Sequence, residues 1–196
     1  TYPDQNGSIG ILFEQASARG HLQQSTFGEL SFPFAIKNHF QTSLSTIDAT
    51  VGLKFELLNH QRNFYKEATS LASKDKVQGY IFGDEKDPAK NYELLKILNA
   101  HQIKVFKNEK SITKGNDTFY AGNSYIVPTS QRQYRLIKSL FEKRTKFTDS
   151  LFYDVSAWTL PLSFNMPYAE LETSIALGEK VVEPRFPKGT LTGSGD

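Results

Sequence analysis

The chain has 196 residues, enough for one ordinary domain or two small ones, and its 38% hydrophobic and 22% charged residues exclude a disordered protein. A formal net charge of +2 gives no reason to expect a nucleic-acid partner, and no apolar run approaches the roughly 18 residues that a membrane span needs. Because the sequence contains no cysteine, disulfides, thiolate metal sites and thiol catalysis are excluded as well.

The first predicted element is a strand over residues 9–13, which ends at the carboxylate of Glu14. A continuous apolar run between small residues is typical of a strand buried on both faces. At the end of such a strand Glu14 faces a crevice, where a carboxylate needs a cation, a metal-bound water or hydrogen-bond donors. An ion pair with Arg19, or capping of the segment that follows, is the structural alternative.

A long helix is the clearest predicted element of the first half. Residues 30–36 contain Pro33 and are interpreted as a packed connection that precedes this helix. From residue 41 to residue 74, apolar residues recur at steps of three, four or seven and fall along one helical face. Gly52, inside this helix, predicts a kink or a close backbone approach.

The second half begins after a short charged link at residues 73–78, which is the predicted domain boundary. Its predicted elements are a strand, a helix, two strands and a second helix, in chain order: residues 79–83, 91–102, 103–106, 125–127 and 131–144. The first three predict a strand–helix–strand unit with parallel strands, which makes Ile81 and Val105 neighbours in a sheet. From Glu170 onward, Gly and Pro predict an irregular tail.

Three short segments carry a resemblance to a known family: Gly10-Ile11-Leu12-Phe13-Glu14, Arg19-Gly20 and Phe32-Pro33-Phe34-Ala35-Ile36. They resemble the end of the catalytic domain of zinc metallocarboxypeptidases, in which a late buried strand delivers a glutamate to the zinc site. The resemblance implies that Glu14 is the general base that activates a zinc-bound water. It also implies that a long helix closes the domain. The family pattern has Arg and Asp just after the glutamate, where this chain has Gln15-Ala16-Ser17.

The second half resembles the class I glutamine-amidotransferase-like domain that is joined to some bacterial metallocarboxypeptidases. The resemblance covers about residues 77–170 and is carried by three segments: residues 79–84, 123–128 and 153–158. It implies a flavodoxin-like, mainly parallel α/β fold. Amidotransferases of this class need a nucleophilic Cys, and since the chain has none, the resemblance implies a domain without that activity.

A carboxypeptidase-type zinc site needs a His followed closely by a Glu, together with a distant second His. None of the four histidines has a Glu three residues later, and each is interpreted as a surface or capping residue: His21, His39, His60 and His101. The zinc ligands are therefore expected upstream of Thr1, and the fragment alone is expected to bind no zinc and to be inactive. Arg19 is a candidate bidentate donor to a substrate carboxylate, with an ion pair to Glu14 or a solvated loop position as alternatives.

Two charged clusters allow both a functional and a structural interpretation. The acidic residues Asp84, Glu85 and Asp87 follow a predicted strand, where α/β sheets tend to bind ligands, but a helix N-terminus explains them equally well. The basic residues of the segment 131–146 are compatible with phosphate binding, although an ordinary solvated helix face is favoured.

The sequence thus predicts an α/β protein in three parts: residues 1–75 as the last strand and long helix of a metallocarboxypeptidase-like domain, residues 76–170 as an amidotransferase-like domain, and residues 171–196 as a truncated irregular tail. The expected function of the intact protein is zinc-dependent hydrolysis of a peptide substrate at its C-terminus. The expected location is periplasmic or secreted. A non-enzymatic binding module, or a pseudo-peptidase with a degenerate zinc site, is the alternative.

Overall fold

The computed structural model of the protein describes residues 2–14, 18, 20–143, 145, 159–173 and 176–189. It is a mixed α/β structure, and the chain divides into two compact units, residues 1–64 and 65–196. The principal elements, in chain order, are β1 (Leu22–Ser25), β2 (Gly28–Ser31), α1 (Phe32–Gly52), α2 (Lys54–Lys74), β3 (Gly79–Phe82), α3 (Pro88–Ala100), β4 (Phe106–Lys107), β5 (Ile112–Lys114), β6 (Asp117–Phe119), β7 (Tyr125–Pro128), α4 (Tyr134–Phe141), α5 (Leu160–Ser163) and β8 (Tyr168–Leu171).

The first unit contains a β-hairpin that the sequence did not predict, after a short 3-10 helix at Asp4–Asn6. Strands β1 and β2 pair antiparallel around a two-residue loop, with Ser25 opposite Gly28. The Ser25 hydroxyl donates to the Gly28 carbonyl and accepts from the Phe27 amide, while Gly28 has a φ of 110°. Such a φ is accessible to glycine but strained for other residues, so Gly28 permits the turn.

Helix α1 begins earlier than the sequence predicted. The prediction missed this start because it interpreted the proline of the first turn as part of a connection. The Ser31 hydroxyl caps the helix by accepting a hydrogen bond from the Phe34 amide, and Pro33 lies in the first turn. Proline is tolerated there, since the first amides of a helix have no intrahelical partner. The interpretation of residues 30–36 as a connection is therefore wrong.

The predicted single helix over residues 41–74 is two helices in the structure. Helix α1 ends at Gly52 and helix α2 starts at Lys54, while Leu53 still donates its amide to the Ala49 carbonyl. A Cβ added at Gly52 would meet nothing within 4 Å, so a close backbone approach does not explain this glycine. The interruption fits the low helix propensity of glycine.

The second unit is built on a four-stranded antiparallel sheet with the order β4-β7-β3-β8. Both β7 and β8 pair antiparallel with β3, and β4 pairs antiparallel with the far side of β7. In chain order, the sheet strands and the helices α3 and α4 follow one another as β3, α3, β4, β7, α4 and β8. In the sheet, β7 lies between β3 and β4. This is the split β-α-β connectivity of ferredoxin-like folds.

The expectation of a flavodoxin-like, mainly parallel sheet is therefore wrong. Strands β3 and β4 run in the same direction, because each is antiparallel to β7, but β7 lies between them. Ile81 consequently has Ile126 and Ala169 as its cross-strand partners, and Val105 is not its neighbour. The segment around Trp158 that also carried the second resemblance lies outside the described residues.

Different elements cover the two faces of this sheet. The main core joins Tyr80 and Phe82 of β3 to the apolar residues of α3 and α4, among them Leu94, Leu98 and Phe141. On the other face, a smaller cluster contains four buried residues: Ile81, Phe119, Ile126 and Leu171. Phe119 belongs to the β5–β6 hairpin, which is inserted between β4 and β7, so this hairpin contributes to the cover of the second face.

The predicted irregular tail from Glu170 onward is partly wrong. Glu170 and Leu171 belong to β8, and Lys180 forms an isolated antiparallel bridge to Phe106 of β4. Among the helices that the structure describes, none combines the length and the apolar character needed to cross a bilayer.

Candidate functional site

The segment that leads to Glu14 pairs with no strand among the described residues, and the predicted buried strand is not formed. Residues 9–14 have no strand assignment, and the exposed fractions of Ile11, Leu12 and Phe13 are 61%, 75% and 50%. A strand buried on both faces needs a neighbouring strand on each edge and packing on each face. No such neighbour is present among the described residues of the first unit, so Glu14 is exposed.

Two contacts within the first unit fix where this segment begins. The Asp4 carboxylate accepts a hydrogen bond of 2.7 Å from the Gly10 amide. Gly7 is buried with a φ of 72°, and a Cβ added to it would lie 3.0 Å from the Phe64 ring. Both the positive φ and the close approach to Phe64 favour glycine at position 7. The path of the chain toward Glu14 is therefore set before the apolar residues begin.

A cavity of about 630 Å³ lies between this segment and the two long helices of the first unit. Ile9, Ile11 and Phe13 line it, whereas Leu12 and Glu14, which alternate with them, do not. Alternation with a period of two is that of an extended chain. One side of the segment thus faces the cavity, and Glu14 belongs to the other side together with Leu12.

Among the described residues that line the cavity, none carries a carboxylate, ammonium or guanidinium group. Helix α1 contributes mainly hydroxyl and amide side chains, such as Gln41, Thr42 and Thr46, and α2 contributes Leu57 and His60. The Thr42 and Thr46 hydroxyls donate to carbonyls one turn earlier in α1, which leaves their oxygens able to accept. A volume of this size is in the range of small-molecule sites, and the lining suits an uncharged, largely apolar group.

The described residues contain no group of three or more His, Asp or Glu side chains that could hold a metal ion. His21, His39 and His60 are exposed, and the ring of His101 makes a 2.8 Å hydrogen bond from Nδ1 to the Ile97 carbonyl at the end of α3. Arg19, the candidate for a substrate carboxylate, lies outside the described residues. A pairing of Glu14 with Arg19 therefore stays a prediction.

The acidic cluster after β3 has a structural role in its own loop. Lys90 Nζ lies 2.6 Å from Asp84 Oδ2 and 3.0 Å from the Asn165 carbonyl, and Asp87 caps α3 through the Lys90 amide. Buried Asn91 exchanges two hydrogen bonds with the backbone of Asp84. The hydrogen bond from Lys90 lowers the pKa of Asp84 from its ordinary value. This pairing favours the helix-start interpretation over a ligand site.

Three basic residues in or next to α4 contact side chains of α2 or of the residue that follows α2, all within the second unit. The Arg132 guanidinium lies 5.3 Å from the centre of the Tyr65 ring, and Arg135 makes a 3.3 Å contact with Glu67. Lys138 Nζ lies 3.1 Å from Asp75 Oδ2. These pairings support the structural interpretation of the basic segment, since three of its cations already have partners.

Asp75 joins the link after α2 to α4 through a network that sequence reasoning missed. Its carboxylate accepts hydrogen bonds from the Val77 amide at 3.0 Å and the Tyr134 hydroxyl at 2.8 Å, in addition to Lys138. Burial alone raises the pKa of Asp75, but these bonds outweigh it, and the pKa lies below its ordinary value. Burial and the bond to Asp75 raise the pKa of Tyr134 to about 12. Tyr134 and Lys138 are four residues apart on one helical face, but nothing in the sequence links them to Asp75.

Comparison with known proteins adds no relative: no family model, no curated protein and no solved structure matches the chain.

Proposed function

We propose that this chain contains the C-terminal part of the catalytic domain of a zinc metallocarboxypeptidase, followed by a second domain without a catalytic nucleophile. The observation that carries the proposal is the position of Glu14 at the end of an apolar segment whose alternate residues line the cavity. The resemblance of residues 10–14 to the glutamate-bearing strand of that family gives this carboxylate its role. For location, the resemblance alone supports a periplasmic or secreted protein.

The composition of α1 supports an incomplete core in the first unit. This helix has 21 residues, of which only Lys37 and Asp48 carry a formal charge, yet Ala35 is its one buried residue. Large exposed apolar surfaces on a folded unit mark sites where other polypeptide or a partner binds. The exposed fractions of Phe40 and Val51 are 64% and 74%, more than a helix of this composition shows when its domain is complete. Additional polypeptide that covers α1 and pairs with residues 9–14 accounts for both features.

None of the four histidines is followed by Glu three residues later, and the family resemblance implies that the zinc ligands lie upstream of Thr1. When bound, zinc supplies Lewis-acid activation of water and of the scissile carbonyl. Glu14 contributes the proton transfer: its carboxylate accepts a proton from the attacking water and delivers it to the leaving amine. The second domain acts as a scaffold or a binding module, because a chain without cysteine cannot carry out thiol-based amide transfer.

Zinc calorimetry and release of C-terminal amino acids from peptides test the proposal. We expect the 196-residue chain alone to bind no stoichiometric zinc and to release no amino acid. We expect the same chain, joined to the polypeptide that precedes it in the protein, to do both. A preceding sequence without a His-x-x-Glu pair and a later His would instead indicate a pseudo-peptidase.

A non-enzymatic binding module is the second candidate, and the uncharged cavity of the first unit favours it. Its ligand would be an uncharged, mostly apolar molecule of drug-like size. The two candidates differ in a simple measurement, because the binding module retains its ligand in the chain alone and needs no zinc. Tight one-to-one zinc binding by the chain alone would contradict the carboxypeptidase proposal.

A further inference from the structure

Residues 178–186 are called the strap below, and the first four of them lie along the outer edge of β4 in the second unit. The Lys107 amide donates to the Glu179 carbonyl at 2.9 Å, and the Lys107 carbonyl accepts from the Gly178 amide at 3.2 Å. The Val181 amide donates to the Val105 carbonyl at 2.9 Å. Together with the isolated antiparallel bridge between Phe106 and Lys180, these bonds pair the start of the strap with the β4 edge in the manner of a strand.

Side chains of the strap add selectivity to these backbone bonds. The Glu179 carboxylate lies 2.6 Å from Lys107 Nζ, and Val181 packs against the main core on the helix side of the sheet. A Cβ added at Gly178 would lie 2.6 Å from the Lys107 carbonyl oxygen and 2.6 Å from Glu109 Cγ. Since the carbonyl is backbone and cannot move away easily, only glycine fits at this position of the strap.

Phe186 extends the contact beyond the strand. Its ring lies edge-on to the Tyr92 ring of α3, with the centroids 5.2 Å apart. Phe186 is nevertheless 63% exposed, and the two side chains of the Lys107–Glu179 pair are 49% and 74% exposed. The strap therefore depends mainly on edge hydrogen bonds and on one partly buried valine, with no disulfide to hold it.

We propose that the β4 edge is a docking site for an extended peptide with the pattern glycine–acidic–any–aliphatic, and that the strap fills this site in cis. An extended peptide that adds to a sheet edge gains affinity from main-chain bonds and specificity from alternate side chains. Both contributions are present at β4. The occupant to which the proposal commits is the strap of this chain, bound in cis. This inference is independent of the role of Glu14.

The test compares two glycine variants of the full chain. Gly178→Val displaces the strap, because the new side chain collides with the Lys107 carbonyl. Gly189→Val is the matched control, since a Cβ there would meet nothing within 4 Å. Hydrogen exchange of the Lys107 amide, followed by NMR, reports whether the strap is bound. We expect exchange to become faster by roughly tenfold or more in Gly178→Val, as overpacking against backbone typically shifts a local equilibrium by that factor, and to be unchanged in Gly189→Val.

A synthetic peptide of residues 176–189 then tests docking in trans. We expect it to restore slow exchange of the Lys107 amide in Gly178→Val, and the same peptide carrying Gly178→Val to have no effect. If the variant folds but the wild-type peptide restores nothing, the β4 edge is not a separable docking site. Equal exchange rates in the two glycine variants would equally overturn the proposal.

A charge exchange keeps the proposal testable if Gly178→Val fails to fold. Glu179→Lys places two ammonium groups together and introduces no steric collision, so we expect faster exchange of the Lys107 amide. Lys107→Glu in the same chain recreates an opposite-charge pair, and we expect it to return the exchange rate toward the wild-type value. An unchanged exchange rate in Glu179→Lys would overturn the preference for an acidic residue that the proposal includes.

Discussion

Ile81 and Ile126 are direct cross-strand partners on the antiparallel strands β3 and β7, and both are buried on the sheet face opposite α3 and α4. Their pairing places β7 between β3 and β4. It also creates an apolar surface that needs a cover of its own. Phe119 of the β5–β6 hairpin belongs to the same buried cluster, so the hairpin is part of the core of this unit.

Truncation of Phe119 tests this role of the hairpin. Phe119 is 1% exposed, whereas the next residue, Tyr120, is 46% exposed. We expect Phe119→Ala to lower the free energy of unfolding by about 3–5 kcal/mol, the usual cost of removing a buried Phe side chain. Tyr120→Ala is the control and is expected to cost less than about 1 kcal/mol. Equal costs for the two variants, measured by urea unfolding, would show that the hairpin does not cover the sheet.

Local patterns predicted several elements of the second unit, but neither β5, β6 and β8 nor the arrangement of the strands. The predicted strand at 79–83 and the predicted helices at 91–102 and 131–144 are confirmed by β3, α3 and α4. Apolar periodicity marks which residues are buried, and it contains no information about which strand lies next to which. The insertion of β7 depends on contacts between residues far apart in the chain. The bridge at Lys180, between Gly178 and Pro184, has no local signal either.

Two tyrosine-to-phenylalanine substitutions are expected to have opposite effects on stability. The Tyr134 hydroxyl donates to the Asp75 carboxylate, so Tyr134→Phe is expected to lower the free energy of unfolding by about 1 kcal/mol. The Tyr80 hydroxyl is buried without a hydrogen-bond partner among the described residues, and burial raises its pKa. We expect Tyr80→Phe to be neutral or stabilising, because it removes a desolvated donor. A clear loss of stability in Tyr80→Phe would reveal a partner for that hydroxyl.

The Asp75 network predicts that the free energy of unfolding depends on pH at both the acidic and the basic end of the pH range. The pKa of Asp75 is lowered by folding, so its contribution is present above the unfolded value of about 3.9 and is lost as the pH falls through the folded pKa. The pKa of Tyr134 is raised to about 12, so its contribution is complete below about pH 10 and is lost as the pH rises toward 12. The difference in the free energy of unfolding between wild type and Tyr134→Phe should therefore be largest between about pH 5 and 9. Tyr120→Phe is the matched control, and a difference independent of pH would contradict the network.

The exposed apolar face of the first unit predicts self-association of the isolated chain. Phe55 is 76% exposed, so Phe55→Ser is expected to leave the free energy of unfolding within about 0.5 kcal/mol of wild type. The same substitution should weaken association in sedimentation experiments, because it removes apolar surface that otherwise contacts a second molecule. Glu56→Ser, at the neighbouring exposed position, is the control. A large loss of stability in Phe55→Ser would mean that this ring is already packed within the chain.

Only those features of the candidate site that depend on a few consecutive residues could be predicted from the sequence. Every second residue of the segment 9–13 lines the cavity, as expected for an extended segment, and Glu14 follows this segment. Burial of that segment was not predictable, because it requires neighbouring strands that the sequence window around Glu14 cannot specify. The cavity had no signal at all, since its polar lining comes from α1 side chains, such as Thr42 and Thr46, that are ordinary on a helix surface.

The last prediction concerns Glu14→Gln, which keeps the shape of the side chain and removes only its ability to accept a proton. Glu14 is exposed in the described structure, so the melting temperature of the isolated chain is expected to stay unchanged. In the protein that includes the preceding polypeptide, zinc binding is expected to persist because its ligands are other residues. Turnover is expected to fall by roughly 10²–10⁴-fold, the usual contribution of a positioned general base. Glu29→Gln, an exposed glutamate of β2, is the matched control and should retain the wild-type rate. A Glu14→Gln protein that hydrolyses peptides at the wild-type rate but melts earlier would show that this carboxylate is a structural partner and not the base.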